Sequence, residues 1–198
     1  MNNRVISIAG GSGSGKTTLA EGLINHLGDR ATLLSLDEYQ KSKYQVPCAP
    51  NGRPNFDHPD AVDWPRFLAD LDALRAGVDI FLQKKPRLSP DGGILPRAIV
   101  QVPARPFIIV EGYLALWHRD ALPLYDLSLY LDSPERLRLA RRRWVKDPQY
   151  INEVLLPMHQ AYVEPTRVNA DLVIYIAAFT REMVLETALV ALAARGFI

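Results

Sequence analysis

The sequence predicts an α/β fold: a mostly parallel sheet with helices on both faces, forming a three-layer sandwich. Three observations carry this. Short apolar runs at 4–9, 31–36, 107–110, 127–131 and 172–176 alternate with stretches of helical spacing. The run Phe107-Ile108-Ile109-Val110 is apolar throughout, as a strand buried on both faces requires. A Gly/Ser-rich segment joins the first run to the first helical stretch.

That segment is Gly10-Gly11-Ser12-Gly13-Ser14-Gly15-Lys16-Thr17, followed by Thr18, and it fits G-x-x-x-x-G-K-[ST] at every fixed position. It has the strand before it and the helix after it (17–27) that a P-loop needs. Small residues let consecutive backbone N–H groups curl around phosphate oxygens, and the positive end of the helix adds attraction. In such a loop Lys16 reaches the β/γ-phosphates and the Thr17 hydroxyl ligates Mg²⁺. The architecture expected is therefore a P-loop NTPase sandwich that binds a nucleoside triphosphate. No G-x-G-x-x-G can be drawn through these glycines, which excludes a dinucleotide fingerprint.

The remaining elements follow in order. The run 31–36 ends at Asp37-Glu38-Tyr39, and the Pro-rich stretch 40–60 reads as a long loop. Trp64, Phe67, Leu68, Leu71 and Leu74 recur at helical spacing, with Asp63 as N-cap and Gly77 as stop. Residues 80–82 and 98–102 bracket a Pro/Gly-rich stretch and read as a hairpin. Ser133-Pro134-Glu135 opens a helix in capping fashion. The stretch 150–163 is helical, with Pro157 expected to kink or divide it. A final amphipathic helix covers 180–194.

Composition narrows the function. The 198 residues suit one domain, 1–198, and the net charge of +1 gives no global pull toward nucleic acid or membrane. A single cysteine, Cys48, excludes an internal disulfide and any cysteine-rich metal site, and fits a reducing cytoplasm. The first strand leaves no room for a signal peptide, and no apolar run approaches the roughly 20 residues of a membrane span.

Ligands of parallel α/β sheets sit beyond the carboxyl ends of the strands. Asp37 and Glu111 fall at such ends. Asp37 could accept the proton of an attacking hydroxyl; the alternative is an aspartate that caps a turn. Glu111 could hold Mg²⁺ or orient its hydration shell; the alternative is a charge that simply meets solvent. No D-x-x-G follows the 107–110 run and no N-K-x-D occurs, so the sequence does not read as a GTPase. Six basic residues lie between Arg136 and Lys146. They read as a lid whose arginines close over phosphates, with a solvated face or a nucleic-acid surface as alternatives.

With these residues in view, the chain resembles the uridine kinase and phosphoribulokinase family of P-loop small-molecule kinases over most of its length. The likeness rests on GGSGSGKTT, on Leu34 to Tyr39, on Asn55-Phe56-Asp57-His58-Pro59-Asp60-Ala61, on Glu111-Gly112, on 142–147 and on 158–171. It implies Asp37 as catalytic base, Tyr39 beside it on the substrate, Asp57 on ribose hydroxyls, and Arg142, Arg143 and Lys146 in the lid, where Lys146 replaces an arginine. His58 either touches substrate beside Asp57 or fixes the loop. Two departures stand out. The hairpin 83–97 lacks the family's pyrimidine-holding Tyr and His, and the R-G-R element after the lid is missing. Pro148-Gln149-Tyr150 and Pro157-Met158 are instead similar to nicotinamide riboside kinases.

The expectation is an ATP- and Mg²⁺-dependent kinase acting on the primary hydroxyl of a small-molecule alcohol, a riboside above all. Its substrate side would span about 40–105 and its lid about 134–150. The rivals are a kinase for another small alcohol, a nucleotide-binding regulator without transfer, and a nucleic-acid-dependent ATPase. No nucleic-acid or membrane partner is expected, and the oligomeric state, a homo-oligomer included, stays open. His26, His118 and His159 read as surface or packing residues, and Trp64, Trp117 and Trp144 as core or lid packing.

Overall fold

The computed structural model describes residues 2–84, 87–88, 93–96, 98–141 and 147–198. β1 (Arg4–Gly10) leads through the P-loop to α1 (Lys16–Leu27) and β2 (Ala31–Ser35). After the long loop comes α2 (Trp64–Arg75), then a hairpin of β3 (Ile80–Lys84) on β6 (Ala98–Val102), extended by β4 (Arg87–Leu88) on β5 (Ile94–Leu95). β7 (Phe107–Glu111), β8 (Leu127–Asp132) and α3 (Glu135–Arg141) follow. Then come α4 (Pro148–Tyr150) and α5 (Leu156–Met158), each continued by a wider π turn, and finally β9 (Leu172–Tyr175) and α6 (Arg181–Ala194).

The five core strands lie in the order β2-β7-β1-β8-β9, all parallel. Every connection must therefore cross over the sheet, which places helices on both faces as expected. β1 shows how the layers divide. Val5 and Ala9 point to one face, where Leu34, Ile108 and Val110 meet Trp64, Phe67, Leu71 and Leu74 of α2. Ile6 and Ile8 point to the other, where Ile109, Leu129 and Leu131 meet Leu19 and Leu23 of α1 and Ala188 and Leu192 of α6. Each fully buried Val, Leu, Ile or Phe among them contributes roughly 1.5–3 kcal/mol of transfer free energy.

The local signals act as the residue chemistry demands. The Asp63 carboxylate accepts from the Arg66 N–H at 3.3 Å at the start of α2, and Gly77 takes φ +87° just past its end. Pro157 lacks an N–H to donate, and the helical stretch divides around it. π turns at Ile151–Leu155 and His159–Val163 flank the short α5 that contains the proline.

One capping expectation fails. The Ser133 hydroxyl is buried without a hydrogen-bond partner among the described residues, and it is the Ser133 carbonyl that engages, accepting from Arg138 Nε at 3.2 Å. Among the described residues no helix is long and apolar enough to cross a membrane.

Candidate active site

The P-loop is shaped by backbone geometry. Gly10, Gly13 and Gly15 take φ of +137°, +84° and +98°, which a side chain would strain. A β-carbon on Gly13 would lie 2.3 Å from the Arg138 carbonyl oxygen, so α3 packs directly on the loop. α1 begins at Lys16 with no side-chain cap and no acidic residue in its first turn. Its first N–H groups and its positive end are thus left to an anion. Lys16 is nearly buried and donates from Nζ to the Gly11 carbonyl at 3.0 Å.

A cleft of about 1100 Å³ opens from this loop. It is lined by residues 12–19, by Ala140 and Arg141 of α3, and by Phe179, Thr180 and Arg181 beyond β9.

Glu111 ends β7, in register with Ser35 of β2 on one side and Ile8 of β1 on the other. Its carboxylate is 6% exposed and accepts from two hydroxyls, Ser35 Oγ at 2.6 Å and Thr17 Oγ1 at 3.3 Å. Thr17 and Glu111, predicted from separate parts of the sequence, therefore touch. Ser35 was not anticipated; a serine closing a strand gives no signal until the register of the neighbouring strand is known. One oriented carboxylate and one hydroxyl beside a phosphate loop form the sparse oxygen set that Mg²⁺ takes when phosphates and water complete its shell. No cluster of three metal-binding side chains occurs among the described residues.

Asp37 stands exposed in the tight turn Leu36–Tyr39 just after β2, where buried Leu36 and Tyr39 anchor the turn. Tyr39 corrects the expectation that it lines the substrate side. It is 1% exposed, packs edge-on against Phe67, and donates its hydroxyl to Asp70 at 2.8 Å. Burial, then Asp70, drive its pKa far up. Residue 39 falls on the face of the turn that meets α2, and its ring is worth more to the core than to a ligand.

In the loop after β2, the Asp57 carboxylate accepts from the Tyr150 hydroxyl at 2.5 Å, and the Asp57 N–H donates to Asn55 Oδ1 at 3.1 Å. Tyr113, two residues past Glu111, donates its hydroxyl to the Phe56 carbonyl at 2.5 Å. Burial first, then the nearby charges of Asp57 and Asp37, hold the Tyr113 phenol firmly protonated. One phenol thus senses both carboxylates and Tyr150, which places Asp37 and Asp57 in a common neighbourhood.

His58 has both ring nitrogens engaged. Nδ1 accepts from the Asp60 N–H at 3.1 Å, so the neutral ring carries its proton on Nε2, which faces the Tyr162 hydroxyl at 3.4 Å. Of its two readings, fixing the loop is the one this geometry performs.

Arg142, Arg143 and Lys146 lie outside the described residues, as does Trp144. His118 and Trp117 are packing residues, both against Trp64. His159 is a packing residue, its ring lying against Gly11 of the P-loop.

Residues 5–181 match the family model described as "Phosphoribulokinase / Uridine kinase family". A uridine kinase of Halobacterium salinarum is 33% identical over 181 residues, covering 85% of this chain and 78% of the relative. A uridine kinase of Lactobacillus helveticus is 34% identical over 187 residues, covering 86% and 85%. Among solved structures, a possible uridine kinase from Bacillus stearothermophilus superposes with TM-score 0.63 at 20% identity, over 88% of this chain and 90% of that one. Shikimate kinase from Acinetobacter baumannii gives 0.56 at 17%, over 98% and 94%. The structural likenesses show the fold; the family match and the relatives show more. This chain belongs to the phosphoribulokinase and uridine kinase family, and is a P-loop phosphotransferase by that membership.

Proposed function

We propose that this chain, read as one kinase domain, transfers the terminal phosphoryl group of ATP to the primary hydroxyl of a ribonucleoside-like small molecule. The observation that carries the reading is the convergence on Tyr113. The Tyr113 phenol, two residues past Glu111, feels the charges of both Asp57 and Asp37, and Glu111 accepts from Thr17 of the P-loop. The relatives named uridine kinase support a riboside acceptor.

The loop amides of Gly10 to Thr18 and the Lys16 ammonium would bind the phosphates and offset the charge that develops on the transferring group. Thr17 and Glu111 would hold Mg²⁺, which would supply positive charge against the phosphates. Asp57 would grip ribose hydroxyls, with His58 holding the loop that presents it. Asp37 would take the proton of the acceptor hydroxyl as that oxygen bonds to the γ-phosphorus. The bond to the β–γ bridging oxygen breaks in line, and ADP leaves. Arg142, Arg143 and Lys146, just past α3, would close over the phosphates.

A second acceptor class, a small alcohol without a pyrimidine, is favoured by the hairpin sequence, which lacks the family's pyrimidine-holding Tyr and His. ADP release from Mg·ATP, measured with uridine, cytidine, nicotinamide riboside, pantothenate, ribulose 5-phosphate or no acceptor, separates the readings. A response confined to ribosides is expected. ATP binding without transfer to any acceptor would replace the kinase with a nucleotide-binding regulator.

A further inference from the structure

The stretch 148–163 meets both the Asp57–His58 loop and the phosphate loop. The Tyr150 hydroxyl bonds Asp57, and Tyr162 packs edge-on against His58 with 5.1 Å between ring centroids. Between these two contacts His159 opens a π turn and meets the phosphate loop. A β-carbon on Gly11 would fall 2.9 Å from His159 Cε1 and 2.8 Å from Arg138 Cδ.

The P-loop template leaves the residue after its first glycine free, and Gly11 is not among the glycines with positive φ. Neither motif nor backbone conformation therefore demands a glycine at 11. The close approach of His159 and Arg138 favours one, because a β-carbon there would force one or both of those side chains to move. The Gly11 carbonyl in turn accepts from Lys16 Nζ and from the Ser14 N–H, each at 3.0 Å. Imidazole, Gly11 and Lys16 thus form one unbroken line of contact.

We propose that His159 is a positioning residue that seats Gly11 and, through the Gly11 carbonyl, the Lys16 ammonium, tying the acceptor-side stretch 148–163 to the phosphate loop. The proposal rests on the phosphoryl-transfer reading. An imidazole suits the place because its Cε1 edge occupies the space that a β-carbon at 11 would take. Its Nδ1 is buried without a hydrogen-bond partner among the described residues, so packing fixes the ring at that end. Burial, with Arg138 and Lys16 close by, lowers the His159 pKa to about 4, and the neutral ring adds no charge beside two cations.

The test is a double-mutant cycle on Mg·ATP affinity, measured by calorimetry on the wild type, Gly11→Ala, His159→Ala and the double variant, with melting midpoints alongside. Gly11→Ala is expected to weaken binding by about tenfold in the wild type and at least about threefold less in the His159→Ala background, where one of the two side chains that crowd the methyl is gone and only Arg138 must yield. Acceptor should tighten Mg·ATP binding to the wild type but not to His159→Ala. Equal losses in both backgrounds, with tight wild-type binding, would overturn this proposal alone. A wild type that binds no Mg·ATP would overturn the kinase reading and this proposal with it. If Gly11→Ala does not fold, His159→Trp reports the same contact. The larger ring should lose nucleotide affinity at an unchanged melting midpoint, and retained affinity in both His159→Trp and His159→Ala would overturn the proposal.

Discussion

The Ser35 hydroxyl donates to Glu111 Oε1 at 2.6 Å, leaving Oε2 to face Thr17. β2 and β7 run parallel with Ser35 and Glu111 in register, so the bond is built into the sheet. A carboxylate held this way is already oriented for a cation, at no entropic cost when one binds. Ser35→Ala should raise the Mg²⁺ concentration needed for half-maximal activity by roughly 3–30-fold, within the usual effect of losing such an outer partner. Glu111→Gln should cost more. Titrating activity against Mg²⁺ at saturating ATP checks both, and an unchanged Mg²⁺ requirement in Glu111→Gln would remove Glu111 from the metal.

Asp37 is exposed just past the end of β2 and lies outside the buried core. Asp37→Asn should therefore fold with the wild-type melting midpoint and bind Mg·ATP normally. If Asp37 is the base, turnover falls by on the order of a hundredfold or more. Full turnover in this variant would exclude the role.

The fold was legible because its signals are local. The all-apolar run at 107–110, the alternating runs and the P-loop each declare themselves within ten residues, and the structure places Asp37 and Glu111 at the strand ends where the sequence puts them. What stayed hidden depends on elements distant in the chain. Ser35 acquires a partner 76 residues away, and the Tyr113 hydroxyl meets a carbonyl 57 residues away. His159 matters because a glycine leaves room for it. Tyr39 misled for a related reason: adjacency to Asp37 says nothing about which way a side chain leaves a tight turn.

Asp57 accepts from Tyr150 across 93 residues, which fixes the orientation of the carboxylate. Hydrogen bonds to a charged group contribute about 1.5–3 kcal/mol, so Asp57→Ala should raise the acceptor KM by roughly 10–100-fold. The KM for ATP should stay near the wild-type value. Steady-state kinetics with each substrate varied in turn checks the split. A loss that falls on ATP instead would move Asp57 out of the acceptor site.

His159 also marks the folded state's response to acid. Its pKa lies at about 4 in the folded chain, against an ordinary histidine value of 6.5, because burial and then the positive charges of Arg138 and Lys16 disfavour the imidazolium. The unfolded chain therefore binds this proton more readily. Above 6.5 both states carry a neutral ring and the group is silent. As pH falls from about 6.5 toward about 4, proton uptake by the unfolded chain draws stability away, and below about 4 the loss is complete. Partial exposure of the ring keeps the effect below the full value of the shift. Denaturant midpoints between pH 7 and pH 4 should fall less steeply in His159→Asn, which has nothing to titrate there, than in the wild type. Parallel curves for the two proteins would mean that the ring already shares its environment with solvent, and that Gly11 is not held by a buried imidazole.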